Sequence, residues 1–132
     1  MKIVRGREGK PSEQRTDTFT GEVWGDVVLV DEGITVNSVF FAPGARTHWH
    51  RHGIAQVLHV THGRGLLWSS DEGRGVVLEP GDVAHIPAGE RHWHGGARSR
   101  DQARTRTTSS YSSSVTGSSQ SAGPTEMARC NR

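Results

Sequence analysis

His48, His50 and His52 stand at alternate positions in the run Pro43-Gly44-Ala45-Arg46-Thr47-His48-Trp49-His50-Arg51-His52. Alternate residues share a face only on an extended strand; on a helix they diverge by about 200°. A partner segment, Gly89-Glu90-Arg91-His92-Trp93-His94, follows some forty residues later, and all eight histidines lie between His48 and His94. Neutral imidazole nitrogen suits zinc, iron, copper and nickel, so imidazoles gathered on one wall point to a divalent metal. A tight site needs ligands from facing strands, which requires two β-layers closing on a shared interior.

The rest of the chain agrees with β-structure. Short β-rich runs, Phe19–Trp24, Val27–Val30, Thr35–Phe41, Gln56–Val60, Leu66–Trp68, Val76–Leu78 and Val83–Ile86, are separated by Gly, Pro and Asp turns. No segment of ten or more residues carries a 3.6-residue apolar period. Many short strands with such turns predict a closed barrel or a two-sheet jelly roll. Leu66–Trp68 is expected to pair with Val76–Leu78, and His48–His52 is read as a strand. Alternation puts Asn37, Val39 and Phe41 on one face.

Composition changes sharply after Gly96. Residues 97–132 contain no Leu, Ile, Phe or Trp and run through Thr105–Ser114 as Thr, Arg, Ser and one Tyr. Such a stretch cannot offset the entropy of ordering it, so disorder is the expectation. The chain divides into an N-terminal arm at 1–18, a barrel domain at 19–96 and a disordered or aberrant tail at 97–132. The abrupt change also resembles out-of-frame translation of a GC-rich gene, a hypothesis that resequencing the gene would remove if the frame proves intact.

Charge divides at the same point. Residues 1–96 hold ten Lys/Arg against twelve Asp/Glu, whereas residues 97–132 hold six Arg against two acids. The basic pI of 9.2 is a property of the tail, and the domain lacks the basic face of a nucleic-acid binder. Cys130 is the only cysteine, so no internal disulfide can form and a reducing compartment is expected. With no signal-like apolar run and no membrane-length stretch, the expectation is a soluble, cytoplasmic protein without a membrane partner.

Gly44, five residues, His50, one, His52, three, Gln56, six, Gly63 resembles the first motif of the cupins. Gly81, five residues, Pro87, one, Gly89, two, His92 resembles the second. The resemblance covers about residues 19–96 and implies a small all-β jelly roll or barrel. Within the cupins, Gln56 in place of the usual Glu, Pro43–Thr47 and His92-Trp93-His94-Gly95 resemble the manganese-dependent hydroxynitrile lyases.

That resemblance implies metal ligands His50, His52, Gln56 and His92, holding one divalent ion per chain, manganese first, with iron or zinc as alternatives. It implies a homodimer and a substrate pocket along Asn37, Val39 and Phe41. His94 shares a face with His92 by alternation and is a candidate general base, beside a reading as a rim residue; His48 is a candidate proton carrier or pocket-wall hydrogen-bonder. His59, His62 and His85 read as surface or structural, and Trp49 and Trp93 as packing. The activity expected is lyase chemistry on a cyanohydrin or another small hydroxy or carbonyl compound. The alternatives are dioxygenase chemistry and a non-catalytic metallo-cupin that binds a small ligand. In the hydroxynitrile lyases a further strand closes the sheet and carries another histidine near the metal. Around Arg104 this chain has no strand-like apolar alternation, so the expectation is an absent strand and an open sheet edge.

Overall fold

A computed structural model describes residues 1–6 and 8–98 in full, and residues 107–114 at the level of the backbone. The strands are β1 Glu13–Gln14, β2 Phe19–Thr20, β3 Val23–Asp31, β4 Ile34–Phe41, β5 Arg46–Thr47, β6 Gln56–His62, β7 Gly65–Ser69, β8 Arg74–Leu78, β9 Val83–Ile86, β10 His92–Gly96 and β11 Thr107–Ser114. One sheet has the order β1-β3-β4-β11-β6-β9 and the other β2-β5-β10-β7-β8. The pairings between these strands are antiparallel. The described residues form no helix, so none is long and apolar enough to cross a membrane.

The alternating runs behave as period-2 strands. Leu66 pairs with Val77 and Leu67 with Val76, the expected hairpin. On β4, Val39 and Phe41 turn inward and are buried with Val23, Ala45, Leu58 and Ile86 in one apolar cluster. Five of these six lie on the larger sheet, and Phe19 and Leu67 of the other sheet pack against them, filling one part of the interior. Among the described residues, Thr47, Gln56, Ser69, His92 and His94 are the buried polar ones, so another part of the interior is polar. A polar lining left inside so small a barrel is what positions the site.

Four expectations are corrected. The residue 1–18 arm is not wholly irregular, because Glu13 and Gln14 pair with Gly25 and Trp24 at the edge of β3. Phe19–Trp24 and Val27–Val30 are not two separate runs. The second extends back to Val23 as the single strand β3, whose irregularity between Val27 and Leu29 absorbs the break in alternation. His48–His52 is not a strand: β5 ends at Thr47, and only His50 regains a bridge, to His92.

The fourth concerns the tail, since residues 107–114 form β11 between β4 and β6, with Ser109 opposite Val39 and Val60. The sheet is continuous there, with no open edge. A strand flanked on both sides is held by two ladders of main-chain hydrogen bonds, which do not require apolar side chains. The disorder expected for residues 99–106 and 115–132 lies outside the described residues.

Candidate metal centre

The site forms where the segment after β5 crosses β10. Arg46 pairs with Gly95, and the next bridge joins His50 to His92. Four steps separate Arg46 from His50 but only three separate Gly95 from His92, so the first segment carries one extra residue. That is a bulge, a device that re-aims side chains and is common beside active sites. It shifts the alternation by one. Ala45 and Thr47 are buried on the inner side, His48 is exposed, and His50 turns back in.

The bulge explains why His48 leaves the face it was expected to share with His50 and His52. Its contribution inside is its backbone carbonyl, which accepts a hydrogen bond from His50 Nδ1 at 2.8 Å. His92 Nδ1 donates in the same way to the Glu90 carbonyl at 2.9 Å. Both bonds fix the tautomer, leaving the Nε2 lone pair of each ring facing inward.

Gly89 makes the second approach possible. Its φ of 82° is in the left-handed region that favours glycine. Its N–H donates to the His52 carbonyl at 2.8 Å, so the turn before His92 is tied to a histidine of the first motif.

Ligand atoms of His50, His52 and His92 all lie within 4.8 Å of one another. The imidazole centroids of His50 are 4.3 Å from those of His92 and 4.9 Å from those of His52. Gln56, at the start of β6, is buried and places Oε1 2.8 Å from His92 Nε2. With His92 protonated at Nδ1, that contact sets two lone pairs against each other. A shared cation reconciles them, as does turning the amide so that its nitrogen donates. Two ligands at right angles about an ion ~2.1 Å from each are about 3 Å apart, so the spacing suits a shared cation. Among the described residues, His52 Nε2 is the buried side-chain nitrogen without a hydrogen-bond partner. An orphaned ring nitrogen beside two facing lone pairs fits a metal, because a bound cation would satisfy all three.

The electrostatics point the same way. Burial first, then the nearness of His92 and His52, pushes His50 down to about 4, against the opposing bond to the His48 carbonyl. Burial lowers His52, with His92 adding to it, and lowers His92 against the pull of Glu90. His94 is held well below the ordinary range by burial and by His50, His92 and His52. At neutral pH all four rings are neutral, the form that binds metal.

His94 is only 4% exposed. Its ring lies 5.5 Å from that of His50, stacks on His92 at 5.9 Å and meets Phe41 edge-on at 5.6 Å. It is therefore inside, against the reading as a rim residue. Val39 and Phe41 belong to the apolar floor, and Asn37, half-buried, lies farther along the same face of β4. His59, His62 and His85 are exposed.

Sequence reasoning missed two supports. Thr47, 6% exposed, accepts the His94 backbone N–H on Oγ1 at 3.1 Å, replacing a ladder bond lost to the bulge. Gly95 has no room for a Cβ, which would fall on the Ala45 carbonyl and within 2.7 Å of Arg46 Cα. The Gly95-Gly96 pair was a legible signal of close backbone approach.

Residues 37–106 match the Cupin_2 family, described as a cupin domain. The chain is a cupin. This cupin is 42% identical over 101 residues to the (R)-mandelonitrile lyase of Granulicella tundricola, a match covering 74% of this chain and 76% of the relative. A cupin-like protein of Thermotoga maritima is 37% identical, with a TM-score of 0.67, over 76% of this chain and 74% of that one. A second Thermotoga maritima structure, described as a predicted oxalate decarboxylase, shares the fold at 19% identity and a TM-score of 0.69. It covers 86% of this cupin and is itself covered completely.

Proposed function

We propose that this cupin is a metal-dependent lyase that cleaves and forms a cyanohydrin, as the name of its mandelonitrile-cleaving relative suggests. The observation that carries the reading is the donor set. Three neutral imidazoles and one neutral amide converge, with His52 Nε2 orphaned and the lone pairs of His92 and Gln56 facing each other. His50 and His92 would hold the ion through Nε2, with His52 and Gln56 Oε1 completing the set. Manganese is the first choice, and iron or zinc the alternatives. Because none of the four donors cancels its charge, a bound divalent ion would supply strong Lewis-acid polarisation of a substrate oxygen.

The chain's own residues would do the rest. His94, kept neutral by burial, takes the hydroxyl proton of the cyanohydrin on a ring nitrogen as the carbon–carbon bond breaks. The electron pair of that bond leaves with cyanide. His94 then returns the proton to cyanide, so the products are an aldehyde or ketone and hydrogen cyanide, and no oxidant is consumed. Phe41 and Val39 offer an apolar wall to the substrate's organic group, with Asn37 farther along it. His48, exposed, orients His50 through its carbonyl. The remaining parts of the reading are a homodimer, a cytoplasmic setting and a small molecule as the partner.

Mandelonitrile cleavage by manganese-loaded protein, followed by benzaldehyde absorbance under argon, tests the proposal. Turnover should survive without oxygen and fall about 10²–10⁴-fold in His94→Asn while the bound metal is retained. Consumption that requires oxygen would instead support the dioxygenase reading. Tight binding of the nitrile with no turnover would leave a ligand-binding cupin.

A further inference from the structure

Tryptophan alternates with histidine on both segments of the crossing. Trp49 precedes His50, and Trp93 separates His92 from His94. Inside the barrel the His50 and His92 rings meet at 4.3 Å; outside it the Trp49 and Trp93 rings meet edge-to-face at 6.4 Å. Between the two pairs lie only the reciprocal backbone hydrogen bonds of His50 and His92, 2.9 Å each. The outer pair is itself held. The Arg91 guanidinium lies 4.9 Å over Trp49, that of Arg46 lies 5.0 Å over Trp93, and Trp68 stacks on Trp93 at 6.4 Å, with 7° between planes.

The crossing sits at the end of the bulge, which interrupts the ladder between Arg46 and His50. The two His50–His92 bonds at this pivot, with Gly89 N–H to the His52 carbonyl on one side and His94 N–H to Thr47 Oγ1 on the other, hold the backbones within the plane of the sheet but do little against rocking out of it. Rocking changes the angle between the His50 and His92 rings, and a metal site tolerates only fractions of an ångström of such error. Resistance to rocking must come from side chains on the two faces of the pivot. On the inner face are the histidines, and on the outer face are the indoles.

We infer that the Trp49–Trp93 pair, clamped between Arg91 and Arg46, is a brace that sets the angle between His50 and His92 before the ion arrives. Trp49 and Trp93 are thus positioning residues for the metal. The inference rests on the metal-site reading given above and deepens it.

Titration with Mn(II), reading free ion from its six-line electron paramagnetic resonance signal, gives the affinity; the bound spectrum reports ligand geometry. Trp93→Ala should weaken binding at least about tenfold, the scale of losses from groups that orient ligands, and should alter the bound spectrum. Trp93→Phe, which keeps an aromatic edge, should restore both to within about threefold of wild type. Trp24→Ala, which removes an indole from β3 in the other sheet, should leave both nearly unchanged. Trp49→Ala removes the same contact from the other side, so the test stands if Trp93→Ala fails to fold. A lowered melting temperature in Trp93→Ala with wild-type affinity and spectrum would overturn the brace, as would equal losses in Trp24→Ala. Wild-type protein that takes up no Mn(II) would remove the metal reading and this inference together, whereas normal wild-type binding with unaffected Trp variants would remove this inference alone.

Discussion

Burial imposes neutrality on the inner histidines, and neutrality is the state in which an imidazole can bind a cation. The same burial has a cost in acid. His50, at about 4 in the fold, stays neutral while the unfolded chain takes up a proton near the ordinary value of about 6.5. His52, His92 and His94 are displaced in the same direction. Their contribution to stability is therefore full above about pH 6.5 and is lost as pH falls toward about 4. Denaturant midpoints of the metal-free protein should be level above about pH 7 and drop between about pH 6.5 and 4. A midpoint indifferent to pH across that interval would contradict the burial of these rings. Metal uptake should weaken over the same interval, because protons compete for the same nitrogens. His92→Ala deletes the ring that reaches both His50 and Gln56. The purified variant should lose the roughly one ion per chain expected of the wild type, measured by atomic absorption; retention would move the site elsewhere.

At the scale of elements, β10 carries the most constraint. It supplies His92 and His94 and depends on Gly95 to pass against the Ala45–Arg46 backbone. Gly95→Ala should force the two strands apart, at a cost of about 1–3 kcal/mol in denaturant unfolding, and should weaken metal binding in parallel. Unchanged stability would mean the backbones can yield at that point. The histidines, glutamine and glycines that form the site were legible, because the motif spacings depend on residue types that tolerate little replacement. The bulge was not. It is a register difference between two segments some forty residues apart, and period-2 alternation read along one segment cannot reveal it. That is why His48 was placed inside and Thr47 overlooked. β11 was illegible for another reason: Thr107–Ser114 lacks the apolar alternation by which strands are read, and its place comes from two neighbours offering unpaired main-chain groups.

For the molecule as a whole, β11 joins the two halves of the larger sheet, pairing with all eight residues of β4 and with five of β6. Ending the chain after residue 106 would unzip two ladders at once and expose the facing edges of β4 and β6. Such a protein should melt at a lower temperature and self-associate in light scattering; one that stays as stable and as dispersed as the full chain would show that β11 is dispensable. The strand's position also has a consequence for how the molecule comes into being. β4 and β6 are adjacent in neither sequence nor space, and the segment that lies between them is made some seventy residues after β4 begins. On the ribosome, β4 and β6 emerge well before the strand that joins them. The nascent chain must therefore wait with its middle unpaired, and long-range closure of this kind is slow and exposed to aggregation.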